Sequence, residues 1–419
     1  MVKALRESTP RIWSTTFVIL ILISFAATGV VDSLQAGLPV FVESIGGTKT
    51  TSGLLVTVFA LAGVLPFLAC GPLVDRYGCR VVLIVSAVVF LFGGAAPLFV
   101  DGIPSLYVSR AFQGIGFAGL NVATAAGATN VLPRERLGEG VGYYGLGQSL
   151  AIALGPALGL KLVSISPSDP KTMWIVVALL AAFCLVASLC CFCDRERAPE
   201  THEGSTPSRE KRSGFARFLS LFVERKALLP SAMILIVASG VCCVIVFVGV
   251  FSRTSGFGNA GLFFIISAAM MIATRFASGL FMDRYRPLYI LLPALAFSAL
   301  ALVLLSAAHS RAATLLAGAP FGLGFGVIVP LLGSVAVKRS PRERSGAANS
   351  MYYLALNLGF GFGAFLGGTT IDLFGFRPSF LLWLTTILAP AALGVLFLRD
   401  EPTRSRSENN ADHSAQREA

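Results

Sequence analysis

Three charged side chains stand well inside long apolar runs, away from their ends, where a charge is costly unless paired or neutralised. Asp32 lies about two thirds of the way along a run at residues 15–40, and Arg110 lies toward the start of a run at 104–131. Desolvation favours the neutral form of a carboxyl group, and a nearby guanidinium favours the charged form. A conformational change that altered the Asp32–Arg110 separation would therefore move the acid between proton uptake and proton release. The chemistry open to this pair is proton exchange, the alternative being a static brace between two helices. Gln113, Phe117 and Asn121 follow Arg110 at offsets of three, seven and eleven, which keeps them on its helical face. Gln148, Asn349, Tyr353 and Asn357 are further polar or aromatic side chains within apolar runs. Each can touch a bound solute or bond to a neighbouring helix, the latter worth about 1 kcal/mol. A largely apolar pocket with one acid suits an amphipathic or cationic organic molecule. The third charge, Arg275, precedes Asp283 by eight residues, about 12 Å along a helix. It can snorkel or pair near the membrane surface, which gives it the character of a gate residue.

The elements that position these residues follow from composition. Of 419 residues, 55% are hydrophobic and 13% charged, and the mean hydropathy is +0.77. A soluble domain carries about 25% charged residues, so a water-soluble enzyme is excluded, as is a disordered bulk. The net charge of +11 does not point to nucleic acid, because the basic residues are dispersed between apolar runs. Twelve runs are long enough to span a bilayer: 15–40, 51–71, 81–100, 104–131, 139–163, 173–193, 227–252, 259–282, 288–308, 312–336, 346–371 and 378–398. They are continuous rather than alternating, so they read as helices, not as barrel strands. With both termini placed in the cytoplasm, 25 Lys and Arg fall on the inner side and six on the outer, as the positive-inside rule requires. A multi-pass protein of the cell membrane is expected. The first run is too long for a secretory signal and lacks a small-residue cleavage site. Residues 194–226 are polar and mixed in charge and read as a cytoplasmic linker between bundles at 1–193 and 227–399, with a disordered cytoplasmic tail at 400–419.

Self-comparison shows that the halves repeat each other at a shift of 208. Gly71, Asp75, Arg76 and Tyr77 fall on Gly279, Asp283, Arg284 and Tyr285. Gly114, Gly116 and Phe117 fall on Gly322, Gly324 and Phe325, and Pro133–Arg136 falls on Pro341–Arg344. Tyr144, Gly155 and Gly159 meet Tyr352, Gly363 and Gly367. Asp32 and Arg110 meet Gly240 and Gly318, so the repeat does not demand their charges. Two six-helix bundles in parallel repeat place a ligand site at their interface near the bilayer midplane.

Gly71-Pro-Leu-Val-Asp75-Arg76-Tyr-Gly78-Cys-Arg80 resembles the loop signature between the second and third helices of the major facilitator superfamily, with Cys79 where a basic residue is usual. Gly279-Leu-Phe-Met-Asp283-Arg284 is its weaker copy, and Arg110-Ala-Phe-Gln113-Gly114-Ile-Gly116 is similar to the family's fourth-helix motif. Gly155-Pro156-Ala-Leu-Gly159 resembles the glycine–proline motif of proton-driven exporters, without its final glycine pair. The resemblance implies an all-α polytopic fold of twelve helices in two pseudo-symmetric bundles, with the first and fourth helices lining a central cavity. It implies that Asp75 caps the eleventh helix near Gly346 and Asp283 the fifth near Gly138, latches formed while the inner side is closed. Gly71, Arg76, Arg80, Gly279 and Arg284 would complete those gates, and Gly155-Pro156 would be a hinge, since proline removes a backbone donor.

Other signals fail. Gly114-x-Gly116-x-x-Gly119 follows no strand, and no GxxxxGK[ST] loop exists to bind ATP. The eight cysteines lie mostly near the reducing inner face and are not a disulfide framework. The three histidines form no metal constellation. No catalytic group, metal or cofactor is expected. The expected activity is alternating-access transport by a monomer that exports a small organic solute in exchange for protons. Proton-coupled uptake, or a non-transporting receptor of the same fold, are the alternatives.

Overall fold

Lipid offers backbone groups no water, so an apolar run satisfies its own N–H and C=O groups by coiling. In the computed structural model each of the twelve runs is helical over most of its described length. The structure describes residues 12–100, 102–133, 136–165, 171–193, 224–281, 285–341 and 345–397, without the side chains of 75, 137, 138, 275–281, 345 and 346. The helices are α1 (Thr15–Ser44), α2 (Lys49–Tyr77), α3 (Cys79–Ala95), α4 (Ile103–Val131), α5 (Leu137–Ile165), α6 (Lys171–Leu189), α7 (Leu228–Thr254), α8 (Gly261–Phe281) and α9 (Pro287–Ser306). α10 comprises Arg311–Leu316 and Gly318–Arg339, α11 is Ser345–Phe374, and α12 comprises Phe376–Leu382 and Thr385–Phe397. No strand occurs among the described residues. The expected linker and tail lie outside the described residues, apart from 224–226.

Local chemistry sets the boundaries. Only Gly78 separates α2 from α3, and its φ of 90° is one that a side chain would oppose. The Ser310 hydroxyl accepts from the Ala313 N–H and caps α10. Pro287 opens α9, where a missing N–H costs nothing. Among the described residues, ten of the twelve helices are long and apolar enough to cross a membrane. α4 falls short because Arg110, Gln113, Asn121 and Thr124 interrupt a backbone of small residues; its Arg110, Gln113 and Thr124 side chains are buried in protein instead. The described apolar stretch of α8, Gly261–Thr274, is too short on its own.

The chain forms two compact units. The first takes in Met1–Val30, Ala62–Ala151 and Trp174–Phe222 as far as these are described. In it α3 lies along α4, and α6 closes on α3 where Val177 and Ala181 face Gly94. Phe17, Leu20, Ile23, Phe90 and Trp174 fill its core. The second takes in Val31–Leu61, Ile152–Met173 and Val223–Ala419. There α7 packs against α10, α11 and α12, and α10 also against α8 and α9. α7 has the highest hydropathy of the spanning helices, yet 89% of its apolar window is buried in protein. The second unit's parts of α1 and α5 meet at glycines: a Cβ on Gly37 would lie 2.9 Å from the Gly159 carbonyl oxygen, and one on Gly159 would overlap the Ser33 carbonyl. The two units divide α5 between Ala151 and Ile152, just ahead of the buried Gly155 and Pro156. α5 itself runs through Pro156 without interruption.

Candidate functional site

Within the first unit the charged end of α4 is built around a carbonyl that has lost its helical donor. Gly93 would accept from residue 97, which is Pro97 and has no N–H. The Ser109 hydroxyl supplies that bond at 2.5 Å, and the Gln113 amide approaches the same oxygen at 3.5 Å. The Gln113 Oε1 in turn accepts from Arg110 Nη1 at 2.9 Å, one helical turn away. Ser109, Arg110 and Gln113 are all 0% exposed. Arg110 and Gln113, expected separately as the coupling cation and as a solute contact, thus form one bonded assembly that anchors α4 to the end of α3.

A second cluster joins α1, α4 and α5 of this unit. Gln148 Nε2 donates to Ser24 Oγ at 3.1 Å and to Tyr144 Oη at 3.3 Å. Ser24 donates to Tyr144 Oη at 3.1 Å, the tyrosine lies 2.9 Å from Thr124 Oγ1, and Thr124 donates to the Leu120 carbonyl at 2.7 Å. The donors therefore run in one direction and end on backbone. Gln148 Oε1 takes no hydrogen bond among the described residues and is only half-buried, so it is available as an acceptor. Sequence reasoning found Gln148 alone of these four. Thr124 carried a usable signal, since it continues the Arg110 face at an offset of fourteen. Phe117 is buried and Asn121 half-buried further along that face.

Asp32 belongs to the second unit, on α1, where it is 9% exposed beside the buried Ser33 and Gln35. On α11 of the same unit, Asn349 and Tyr353 are exposed and Asn357 half-buried, spaced along one face. Asn357 Nδ2 donates to the Tyr353 carbonyl at 2.8 Å. Their neighbour Tyr352, the repeat mate of Tyr144, donates to the Val329 carbonyl of α10. In both repeats this tyrosine therefore ties its helix to the one before it.

The predicted gate residues are only partly visible. Nothing crowds Gly71, and exposed Arg76 lies over the Tyr77 ring at 5.2 Å. Arg80 donates to the Leu189 carbonyl at 2.9 Å, a cation at the end of α6 where the helix dipole favours one. The side chains of Asp75 and Arg275, and all of Asp283 and Arg284, lie outside the described residues, and Gly279 is described only as part of the α8 backbone. A different latch, missed by sequence reasoning, stands in the second unit. Asp372, near the end of α11, accepts from the Lys49 N–H at 3.3 Å, the Thr50 N–H at 2.8 Å and the Thr50 hydroxyl at 2.7 Å. It thereby caps the start of α2 from a distance of 322 residues in the chain. Thr57 of α2 donates to the Gly361 carbonyl of α11 at 2.7 Å, two turns along the same seam. At the start of α8, Asn259 accepts from the Gly261 N–H at 2.7 Å and reaches the Leu160 carbonyl of α5 at 3.4 Å. A pocket of about 260 Å³ lies there, lined by Val40, Leu160, Gly249, Arg253 and Asn259.

Comparison with known proteins agrees with this architecture. The chain is 25% identical over 378 residues to the staphylopine export protein of Staphylococcus aureus, an alignment covering 87% of this chain and 90% of the relative. It is 24% identical over 361 residues to multidrug resistance protein 1 of Bacillus subtilis, covering 84% and 87%. Among solved structures, a bacterial homologue of the human lysosomal transporter Spinster matches with a TM-score of 0.73 at 15% identity, covering 94% of this chain and all of that one. The nucleoside transporter NupG matches at 0.69 and 13% identity, covering 92% and 99%. These two likenesses establish the fold. The family model for the Major Facilitator Superfamily matches residues 17–356 and 322–417, so that nearly the whole chain is accounted for by one family: this protein is a membrane transporter of the Major Facilitator Superfamily.

Proposed function

We propose that this transporter exports a small organic solute, amphipathic or cationic, in exchange for protons. Residues 1–193 and 227–399 act as the two rocking bundles, joined by the linker 194–226, in a monomer with both termini in the cytoplasm. The observation that carries the reading is Asp32, a carboxylic acid buried in the middle of a spanning helix at a position where the repeat has glycine. Such an acid is costly to keep and is the natural proton carrier. Arg110 is the partner charge of the exchange. The Gln148 acceptor, with Phe117 and Asn121 on α4, supplies solute contacts in the first unit, and Asn349, Tyr353 and Asn357 on α11 supply them in the second, while fully buried Gln113 holds Arg110. Export rather than uptake is supported by two relatives named for export and for drug resistance. In proteoliposomes with an imposed pH gradient, solute is expected to move against the direction of proton flow. Movement of solute and protons together would replace export with uptake.

The Asp372 cap gives the reading a conformational test. We assign it to the outer gate, closed here and broken when the outside opens. An exposed cap of this kind contributes about 1–2 kcal/mol, so Asp372→Ala is expected to raise the outward-open population by about 5- to 30-fold. A cysteine placed at Val40, in a background with Cys190→Ser, should then react correspondingly faster with a membrane-impermeant maleimide. Unchanged labelling would show that the cap plays no part in gating.

A further inference from the structure

Cys79 and Cys193 are separated by 114 positions in the chain, yet the fold of the first unit brings their sulfurs together. Cys193 Sγ lies 2.7 Å from Cys79 Sγ and donates to it, and Cys79 Sγ donates to the Ala123 carbonyl of α4 at 3.1 Å. Both side chains are buried, and both are thiols in this structure. The approach is permitted by α4 and held by Arg80. α4 presents Gly127 at this point, where an added Cβ would lie 2.9 Å from Cys79 Sγ and 3.1 Å from the Cys193 Cβ. Arg80, next to Cys79 on α3, donates to the Leu189 carbonyl at the end of α6. Its guanidinium also lies 4.1 Å from the ring centre of Phe192, next to Cys193. The segment after α6 is thus clasped back onto the first turn of α3 by a cation and a thiol together.

Two thiols held this way need a shift of only about 0.7 Å to reach disulfide bonding distance. Bridges formed in reducing surroundings are transient and redox-sensing rather than structural. We propose that Cys79 and Cys193 are a thiol switch, closed into a reversible disulfide by hydroperoxides. Cys193 sits on irregular chain three residues beyond exposed Cys190, and local opening of that segment admits the oxidant. The Cys193 thiolate attacks one peroxide oxygen, the O–O bond breaks, and the leaving hydroxide takes the thiol proton as water. The Cys79 thiolate then attacks the sulfenic sulfur, and the expelled hydroxide leaves with the second proton as water. Two thiols lose two electrons, and one hydrogen peroxide becomes two waters. A dithiol reductant reverses the bridge by exchange. Once closed, the bridge ties the α2–α3 junction to the chain that follows α6. Its formation is independent of transport direction and of proton coupling.

The test uses the full-length protein in lipid nanodiscs treated with hydrogen peroxide, then denatured, alkylated and digested for mass spectrometry. A cross-linked peptide pair containing Cys79 and Cys193, removed by dithiothreitol, is expected in wild type and in Cys190→Ser. It should be absent in Cys193→Ser. The thermal midpoint should rise by several degrees on oxidation of wild type and not of Cys193→Ser. Alkylation of both Cys79 and Cys193 after peroxide treatment, their conversion to sulfinic acid without linkage, or linkage of Cys193 to Cys190 or Cys191 would each overturn the proposal.

Discussion

Asp32→Asn is expected to abolish proton-driven transport, reducing accumulation in a pH gradient to the level of protein-free vesicles, while the protein still folds and binds solute. Asparagine keeps the shape of the aspartic side chain and so preserves the packing of α1 at a site that is 9% exposed. It cannot take up or release a proton. A buried carboxylate contributes little net stability because desolvation offsets its attractions, so the thermal midpoint should stay within a few degrees of wild type. The decisive comparison sets gradient-driven uptake into inverted vesicles against solute exchange at equal pH on both sides. Loss of the first with survival of the second identifies Asp32 as the coupling acid. Unchanged gradient-driven transport would assign Asp32 to bracing α1 and remove it from the coupling mechanism. Loss of both would place it in solute binding or in the fold.

What could be read from the sequence was whatever repeats or runs. Twelve apolar stretches had no stable option in lipid except helices, and even the polar α4 was legible as a run, since small and apolar residues at 104–131 surround Arg110 and Gln113. Breaks inside helices were legible only in part: α10 is interrupted at Ala317, where Gly318 follows and Pro320 leaves the Leu316 carbonyl without its helical donor, whereas α12 breaks at Trp383-Leu384, where no glycine or proline marks the spot. The functional residues divide along the same line. Arg110 and Gln113 stood out because a charge and an amide in an apolar run have few explanations. Ser24 and Thr124 did not, because small hydroxyls in helices commonly bond to their own backbone, as Thr124 also does to Leu120. Ser109 was in principle recoverable, since Pro97 leaves Gly93 without a helical donor and something polar must replace it. The Asp372 cap was beyond reach. Its partners are 322 and 323 residues away in the chain, and only a folded second unit reveals that α11 ends where α2 begins.

The second large effect is expected from a single methyl group on α5. Gly159 faces the backbone of α1, and a Cβ built there would overlap the Ser33 carbonyl oxygen and crowd its carbon and Cα. These are main-chain atoms of a helix and cannot rotate out of the way. Gly159→Ala must therefore push α1 and α5 apart, and overpacking of this kind costs about 1–3 kcal/mol. The thermal midpoint should fall by several degrees. Transport should fall further than stability, because the displaced residue, Ser33, adjoins Asp32, and a proton-carrying group works only at a defined separation from its partners. Gly142→Ala is the matched control on the same helix, since a Cβ there meets nothing within 4 Å. It adds the same methyl group and the same helix propensity, worth about 1 kcal/mol in favour of alanine, and should leave transport unchanged. Equal loss in both variants would mean that α5 needs flexible glycines along its length, as a hinge does. Loss confined to Gly159 would mean that the close approach of α1 and α5 is what holds the acid in place.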